Sequence, residues 1–77
     1  MPTRELLLKP ETEQIYIAAN STSYEILDVL ANSDSSMVKM TVLQNPSVSK
    51  DTIERLIDDQ DSVVWKRATE LLENRRE

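Results

Sequence analysis

Apolar residues recur along this chain at the spacing of short helices, and one pattern occurs twice. In each copy the first apolar residues lie three or four positions apart, a polar turn follows, and two more lie four positions apart. Each half matches one face of a helix, so each copy predicts two short helices around a turn. The first copy has Leu27, Leu30, Ala31, Val38 and Val42 at these positions, and the second copy, 26 residues on, has Ile53, Leu56, Ile57, Val64 and Ala68.

Polar residues that favour helix starts and stops set the expected bounds of the helices. Thr22 and Glu25 have the spacing of a capping box, which predicts a helix over 23–32. Asn45 precedes Pro46, and the residue before a proline disfavours the helical region, so a helix should end at 44. The other predicted helices span 12–19, 36–44 after Asp34 or Ser35, 50–58 after Ser49, and 61–76 from Asp61.

The two copies, at residues 20–42 and 45–68, resemble the repeat of the leucine-rich repeat variant family, a bacterial relative of HEAT and armadillo repeats. The frame of that family is N-P-x-T-P-x-x-x-L-x-x-L-A-x-D-x-x-x-x-V-R-x-x-V. The resemblance implies short helix pairs stacked into a right-handed superhelix, and a binding or scaffolding role without a particular ligand. Ser21 stands where the frame has proline, and the Val-Arg pair of the frame becomes Val38-Lys39 and then Val64-Trp65.

The expected fold is therefore all-α, with one domain over residues 1–77. It is a short right-handed α-solenoid of about 2.5 helical repeats and five helices. The units are a repeat tail at 11–20, a repeat at 20–44, and a repeat at 45–69 that includes a C-terminal capping helix at 61–76. Because such stacks normally need about 3 units, we expect Leu6–Leu8 to cap the N-terminal end and a partner or second copy to cover residual apolar surface.

Composition narrows the functions that this fold could serve. The chain has no cysteine and no histidine, which excludes disulfides, the ordinary zinc site and the iron–sulfur cluster of some family members. It has no glycine, which argues against β-hairpins and phosphate-binding loops. The net charge is −5, and residues 11–38 carry five acidic residues and no basic one, so nucleic acid and anionic lipid would be repelled at long range.

Three further observations concern location, catalysis and metal binding. No stretch approaches the ~20 apolar residues of a membrane span, and the first residues do not have the pattern of a signal peptide, so we expect a cytoplasmic protein. Without histidine or a deep pocket there is little for general acid and base catalysis, so we expect neither an enzyme nor a cofactor. Asp58, Asp59 and Asp61 form an acidic turn, but a calcium loop usually bends at a glycine, and helix capping explains Asp61 better.

Six residues are candidates for contact with a partner. Trp65 occupies a position that is basic and solvent-facing in the family frame, so it could anchor a partner, or it could pack with Leu72 against a neighbouring helix. Met37 and Met40 lie on a different helix face from Val38, which suits either an adaptable interface or, preferably, the core. The remaining candidates are Lys39, Lys66 and Arg67.

These basic residues also suggest an alternative function. Together with Arg75 and Arg76 they could form a basic edge for phosphate contact, although interspersed glutamates favour an ordinary solvated helix face. The main prediction is a non-catalytic protein–protein interaction or scaffolding module that forms a homo-oligomer or binds a protein partner. The alternative is a small regulator that contacts nucleic acid or a DNA-binding protein through the basic helix at 66–76.

Overall fold

A computed structural model describes residues 4–74, and within that range the chain forms six helices and no strand. The all-α prediction is confirmed. The expected count of five helices is wrong, because the segment before Pro10 is itself one short helix. The helices are α1 Arg4–Leu8, α2 Glu11–Asn20, α3 Tyr24–Leu30, α4 Ser36–Gln44, α5 Lys50–Leu56 and α6 Ser62–Asn74.

Serine residues begin three of these helices. Ser23, Ser35 and Ser49 each have an extended backbone directly before α3, α4 and α5. Each hydroxyl accepts a hydrogen bond from the backbone N–H three residues on, at 3.4, 3.3 and 3.1 Å. Such a bond satisfies one of the four N–H groups that lack a partner at a helix start. The predicted caps at Ser35 and Ser49 are confirmed.

The capping box at Thr22 is wrong. Helix α3 begins at Tyr24, one residue later than that box requires, so Glu25 is the second helical residue rather than the third. Ser23 supplies the cap instead. The 26-residue register that aligns Leu27 with Ile53 also aligns Ser23 with Ser49, so the repeat gives a better cap assignment than the local motif.

The other helix ends follow polar signals with small shifts. Asn45 has an extended backbone and ends α4 before Pro46, as predicted. The Asp61 carboxylate accepts from the Val63 N–H at 2.9 Å and the Asp61 carbonyl accepts from the Trp65 N–H at 3.0 Å, so Asp61 caps α6. Helices α3 and α5 each end two residues before their predicted bounds, at residues 30 and 56. The predicted end of the last helix at 76 lies outside the described residues.

The helices form two rows. Helices α2, α4 and α6 pack in that order and make one row, which we call the even row. Helix α1 packs on α3, and a side-chain hydrogen bond joins α3 to α5. Helices α1, α3 and α5 make the second row, which we call the odd row. Sequential pairs α2 with α3, α3 with α4, and α5 with α6 connect the rows. The Cα radius of gyration is 11.5 Å, which is about the value expected for a compact domain of this length.

The core lies between the two rows and uses the repeated apolar positions. All ten of these residues are buried except Ile57, which is partly buried and packs against the core. Of the predicted N-terminal cap, Leu6 and Leu7 pack against the core, whereas Leu8 is 82 % exposed. None of the helices within residues 4–74 has the length and apolar character that a membrane crossing requires.

Hydrogen bonds made by side chains join neighbouring helices of the even row, both at helix starts and at helix ends. At the helix starts, the Ser35 hydroxyl donates to the Glu11 carboxylate and the Ser36 hydroxyl donates to the Asp61 carboxylate. At the helix ends, the buried Asn45 amide donates to the carbonyls of Ala18 and Ser21, each at 2.8 Å. Starts bond to starts and ends to ends, so α2 and α4 run in the same direction.

Helix α1 is held by a polar residue that the periodicity did not single out. Gln14 is 6 % exposed, and its amide Nε2 donates to the carbonyls of Leu7 at 3.2 Å and Lys9 at 2.8 Å. Val38 follows Gln14 by 24 residues, the same spacing as in the bonded pair Glu11 and Ser35, so the matching positions in the two later units are Val38 and Val64. A glutamine at this one place provides the N–H groups that the last carbonyls of a short helix lack.

Candidate functional site

Trp65 lies at the free side of the even row. Its side chain belongs to α6, the last helix of that row, and the residue is 39 % exposed. The Nζ atom of Lys66 lies 5.9 Å from the centroid of the indole ring, which is within the range of a weak cation–π contact. Aromatic side chains are enriched at protein interfaces relative to the rest of the surface.

The counterpart of this residue in the previous unit is covered. Lys39 precedes Trp65 by 26 residues and forms an ion pair with Asp59 at 2.7 Å, with side chains only 17 % and 11 % exposed. Ser36, on the same side of α4, is bonded to Asp61 at the start of α6. That side of α4 therefore faces the following unit.

On α6 the same side has no following unit within residues 4–74. We call it the end face, and define it by Ser62, Trp65 and Thr69, which match Ser36, Lys39 and the buried Leu43 of α4. In α4 these positions are partly or fully buried, whereas Ser62 and Trp65 are exposed. Two of the three residues that define the end face are therefore exposed, unlike their counterparts on α4.

The two methionines differ in their surroundings. The sequence favoured a core position for both residues; Met40 packs against the core as predicted, but the prediction is wrong for Met37, which is 64 % exposed. Met37 matches Val63 of α6, which is 59 % exposed, so this position points to solvent in both units. Neither residue belongs to the end face.

The basic candidates do not form a single edge. Lys39 is bonded to Asp59, and Arg67 is paired with Glu70 at 3.3 Å on an exposed part of α6. Lys66 lies beside the indole ring. Arg75 and Arg76 lie outside the described residues. Within residues 4–74 the arrangement matches a solvated helix face with internal ion pairs.

The acidic turn before α6 is used for structure. Asp59 binds Lys39 with one carboxylate oxygen and accepts from the Asp61 N–H at 3.0 Å with the other. The Ser36 hydroxyl and the backbone N–H groups of Val63 and Val64 lower the pKa of Asp61 below its ordinary value, and Lys39 adds to this. No group of three acidic residues in the described part of the chain is arranged to hold a metal ion.

A groove between α3 and α5 was not anticipated. These helices approach less closely than their neighbours in the even row, and the space between them has a volume of about 1010 Å³. Its apolar surface comes from Tyr24, which is 60 % exposed, and from the partly buried Ile26 and Val29. Carboxylates supply most of its polar lining, together with two serines and Arg55: they belong to Glu25, Asp28, Asp51, Glu54 and Asp58.

Polar contacts between the two helices hold this groove in shape. Asp28 accepts hydrogen bonds from the Thr52 hydroxyl at 2.9 Å and from the Arg55 guanidinium, which also donates to Asn32 at 2.9 Å. Thr52 is fully buried, and its hydroxyl lies 2.9 Å from that of Ser49. Asp28 of α3 bonds to Thr52 and Arg55, whereas Asn32, just beyond the end of α3, bonds to Arg55 near the end of α5, so these helices also run in the same direction.

Sequence reasoning missed the groove because its width depends on how far apart α3 and α5 lie. One signal was visible, since residues 11–38 contain no basic residue and supply part of the acidic rim. Comparison of the chain with protein-family models, with curated proteins and with solved structures gives no match. The resemblance to the leucine-rich repeat variant family stays a prediction that rests on residues 20–42 and 45–68.

Proposed function

We propose that this chain is a non-catalytic protein–protein interaction module, built as a short right-handed α-solenoid of about 2.5 repeats. The end face on α6 carries this proposal, because its counterpart on α4 is covered by the next unit while Trp65 is exposed. A second copy of the chain or a protein partner would occupy the place of that unit.

Three features support the solenoid arrangement. The even row and the odd row contain alternate helices, as a stack of helix pairs requires. The residues that tether α2 to α4 and α4 to α6 are 24 to 27 positions apart, which is the length of one repeat. Helices that tether to each other run in the same direction, as translation from one unit to the next would produce.

The gain from covering the end face is of useful size. A tryptophan side chain buries about 150–250 Å² when fully covered, so covering the exposed part of Trp65 contributes about 2 kcal/mol at ~25 cal/mol per Å². Central aromatic residues of this kind often dominate the affinity of an interface. Ser62 and Thr69 would form the polar surround of such a contact.

Direct binding of nucleic acid has less support. The net charge is −5, and among the described cations on the even row Lys39 and Arg67 are already paired with carboxylates. Nucleic-acid binding relies on unpaired cations that neutralise phosphates. The cytoplasmic location and the regulator alternative stay predictions.

Light scattering of the purified chain over a range of concentrations tests the proposal. We expect the average mass to rise with concentration, or, with a protein partner present, a complex to form. Trp65→Ala should weaken either association by about tenfold or more, because the variant loses the ~2 kcal/mol gained by covering the indole ring. Val63→Ala on the same helix is the matched control, since Val63 is exposed but lies outside the end face, and it should leave association unchanged.

Two results would count against this function. A monomer mass at every concentration would exclude self-association. If complexes captured from the native host were equally abundant for wild type and Trp65→Ala, the end face would not be the binding surface.

A further inference from the structure

The groove between α3 and α5 carries negative charge that no cation in the described part of the chain neutralises. Four of its carboxylates, those of Glu25, Asp51, Glu54 and Asp58, are exposed and have no hydrogen-bond or ion-pair partner within residues 4–74. The single cation in its lining is Arg55, and that guanidinium is already bonded to Asp28 and Asn32.

The groove also offers an apolar contact surface. Tyr24 stands at its edge with 60 % of its surface exposed, and Ile26 and Val29 lie partly buried beside it. An exposed aromatic ring among carboxylates can accept both an apolar side chain and the face contact of a lysine or arginine. The combination matches an occupant that is both basic and apolar.

We propose that this groove binds a basic, amphipathic segment of a partner protein, with apolar side chains on Tyr24, Ile26 and Val29 and lysines or arginines on the carboxylate rim. Amphipathic segments commonly bind in this way, with spaced apolar anchors in a groove and charged residues at its edge. The inference rests on the proposed function only in taking the partner to be a protein, and it uses a different surface from the end face.

Other occupants match the groove less well. Nucleic acid and anionic lipid carry the same sign of charge as its rim. A metal ion would need at least three grouped ligands, and no such group occurs in the described part of the chain. Most residues along the groove are exposed, so it runs along the surface and does not enclose a small molecule.

Titration of the full chain with labelled synthetic peptides tests this inference. The first probe is a peptide of about 14 residues, roughly four helical turns, with leucine and lysine placed to give one apolar face. In the second probe glutamate replaces lysine, and in the third serine replaces leucine. We expect binding of the first probe, which weakens as salt is added, no measurable binding of the second, and binding of the third that is weaker by about tenfold.

Variants of exposed residues then locate the site. Tyr24→Ala and the double variant Glu25→Gln with Glu54→Gln should each weaken binding of the first probe by about three- to tenfold. The matched control is Glu5→Gln with Glu73→Gln, which removes the same charge from exposed positions outside the groove, and it should change binding by less than about twofold. Far-ultraviolet circular dichroism verifies that each variant is folded.

The inference is overturned if the control double variant weakens binding as much as the groove double variant, because the attraction would then be general. It is also overturned if Trp65→Ala abolishes binding while Tyr24→Ala does not, which would place the peptide on the end face and leave the proposed function intact. If the groove variants abolish self-association instead, the occupant is a second copy. If Trp65→Ala leaves self-association and partner binding unchanged, the proposed role of the end face is wrong, but the peptide-binding result for the groove is unaffected.

Discussion

Replacing Asn45 by alanine should be among the most damaging single changes in this chain. Asn45 is 5 % exposed and follows the last residue of α4. Its amide Nδ2 donates to the carbonyls of Ala18 and Ser21, each at 2.8 Å, and its Oδ1 accepts from the Ser47 N–H at 2.7 Å. One side chain thus connects the end of α2 to the end of α4 and shapes the turn that follows.

The cost of Asn45→Ala follows from these three bonds. Each contributes about 0.5–1.5 kcal/mol net, and a carbonyl left buried without a donor adds to the loss, so we expect a decrease of about 2–4 kcal/mol in the free energy of unfolding. Alanine gains nothing from helix propensity here, because the residue has an extended backbone. A domain of this length is stable by only about 4–12 kcal/mol, so the effect is large.

Asn20→Ala is the matched control, since Asn20 precedes Asn45 by one repeat. Its amide bonds only to the Tyr16 carbonyl of its own helix, at 2.8 Å on the exposed surface. Removing that bond while improving helix propensity should change stability by less than about 0.5 kcal/mol. Urea unfolding followed by circular dichroism gives both values. With a slope near 1 kcal/mol per molar, the Asn45→Ala midpoint should fall by about 2–4 M. Equal costs for the two variants would refute the idea that Asn45 ties successive units together.

Two further predictions concern charged groups. The Ser36 hydroxyl and the Val63 N–H lower the pKa of Asp61, so this carboxylate stabilises the fold fully above about pH 4 and the contribution is lost as pH falls through the lowered pKa. Asp61→Asn should therefore flatten the decrease of the urea midpoint in that acid range, and an unchanged profile would contradict the assignment. Lys39→Met should lower the free energy of unfolding by about 1–3 kcal/mol in urea titrations, because it leaves the mostly buried Asp59 carboxylate without its cation. Adding Asp59→Asn should restore part of the loss, and no loss in the single variant would show that the pair is dispensable.

The repeat spacing was enough to predict most helices and the core, because apolar positions that recur at 26 residues report directly on which side of each helix is buried. The same argument could not detect α1. That helix has only five residues, its sequence has no copy elsewhere in the chain, and it is held by Gln14, a polar residue on an otherwise apolar stripe. Tertiary hydrogen bonds of this kind have no local signature.

The surfaces were harder to predict than the fold. Trp65 departs from the family frame, but only the tertiary contacts of Lys39 with Asp59 and of Ser36 with Asp61 show which neighbour the matching side of α4 faces. The groove depends on the distance between α3 and α5, which no spacing along the sequence encodes. Exposure at Met37 also depends on the position of neighbouring helices, which is why the predicted core position of this residue is wrong.

The polar tethers of the even row have a consequence for how such a chain could change in length. The two neighbouring serines at the start of α4 donate in opposite directions along the row, Ser35 to Glu11 in the preceding unit and Ser36 to Asp61 in the following one. Position 35 is itself the match of Glu11, which precedes it by 24 residues, and of Asp61, which follows it by 26. A direct in-frame duplication of residues 20–44 would therefore bring serine against serine at the new junction, where both existing junctions have a carboxylate acceptor. Lengthening the chain by whole units would keep this bond only if an acidic residue replaced Ser35 in the added copy.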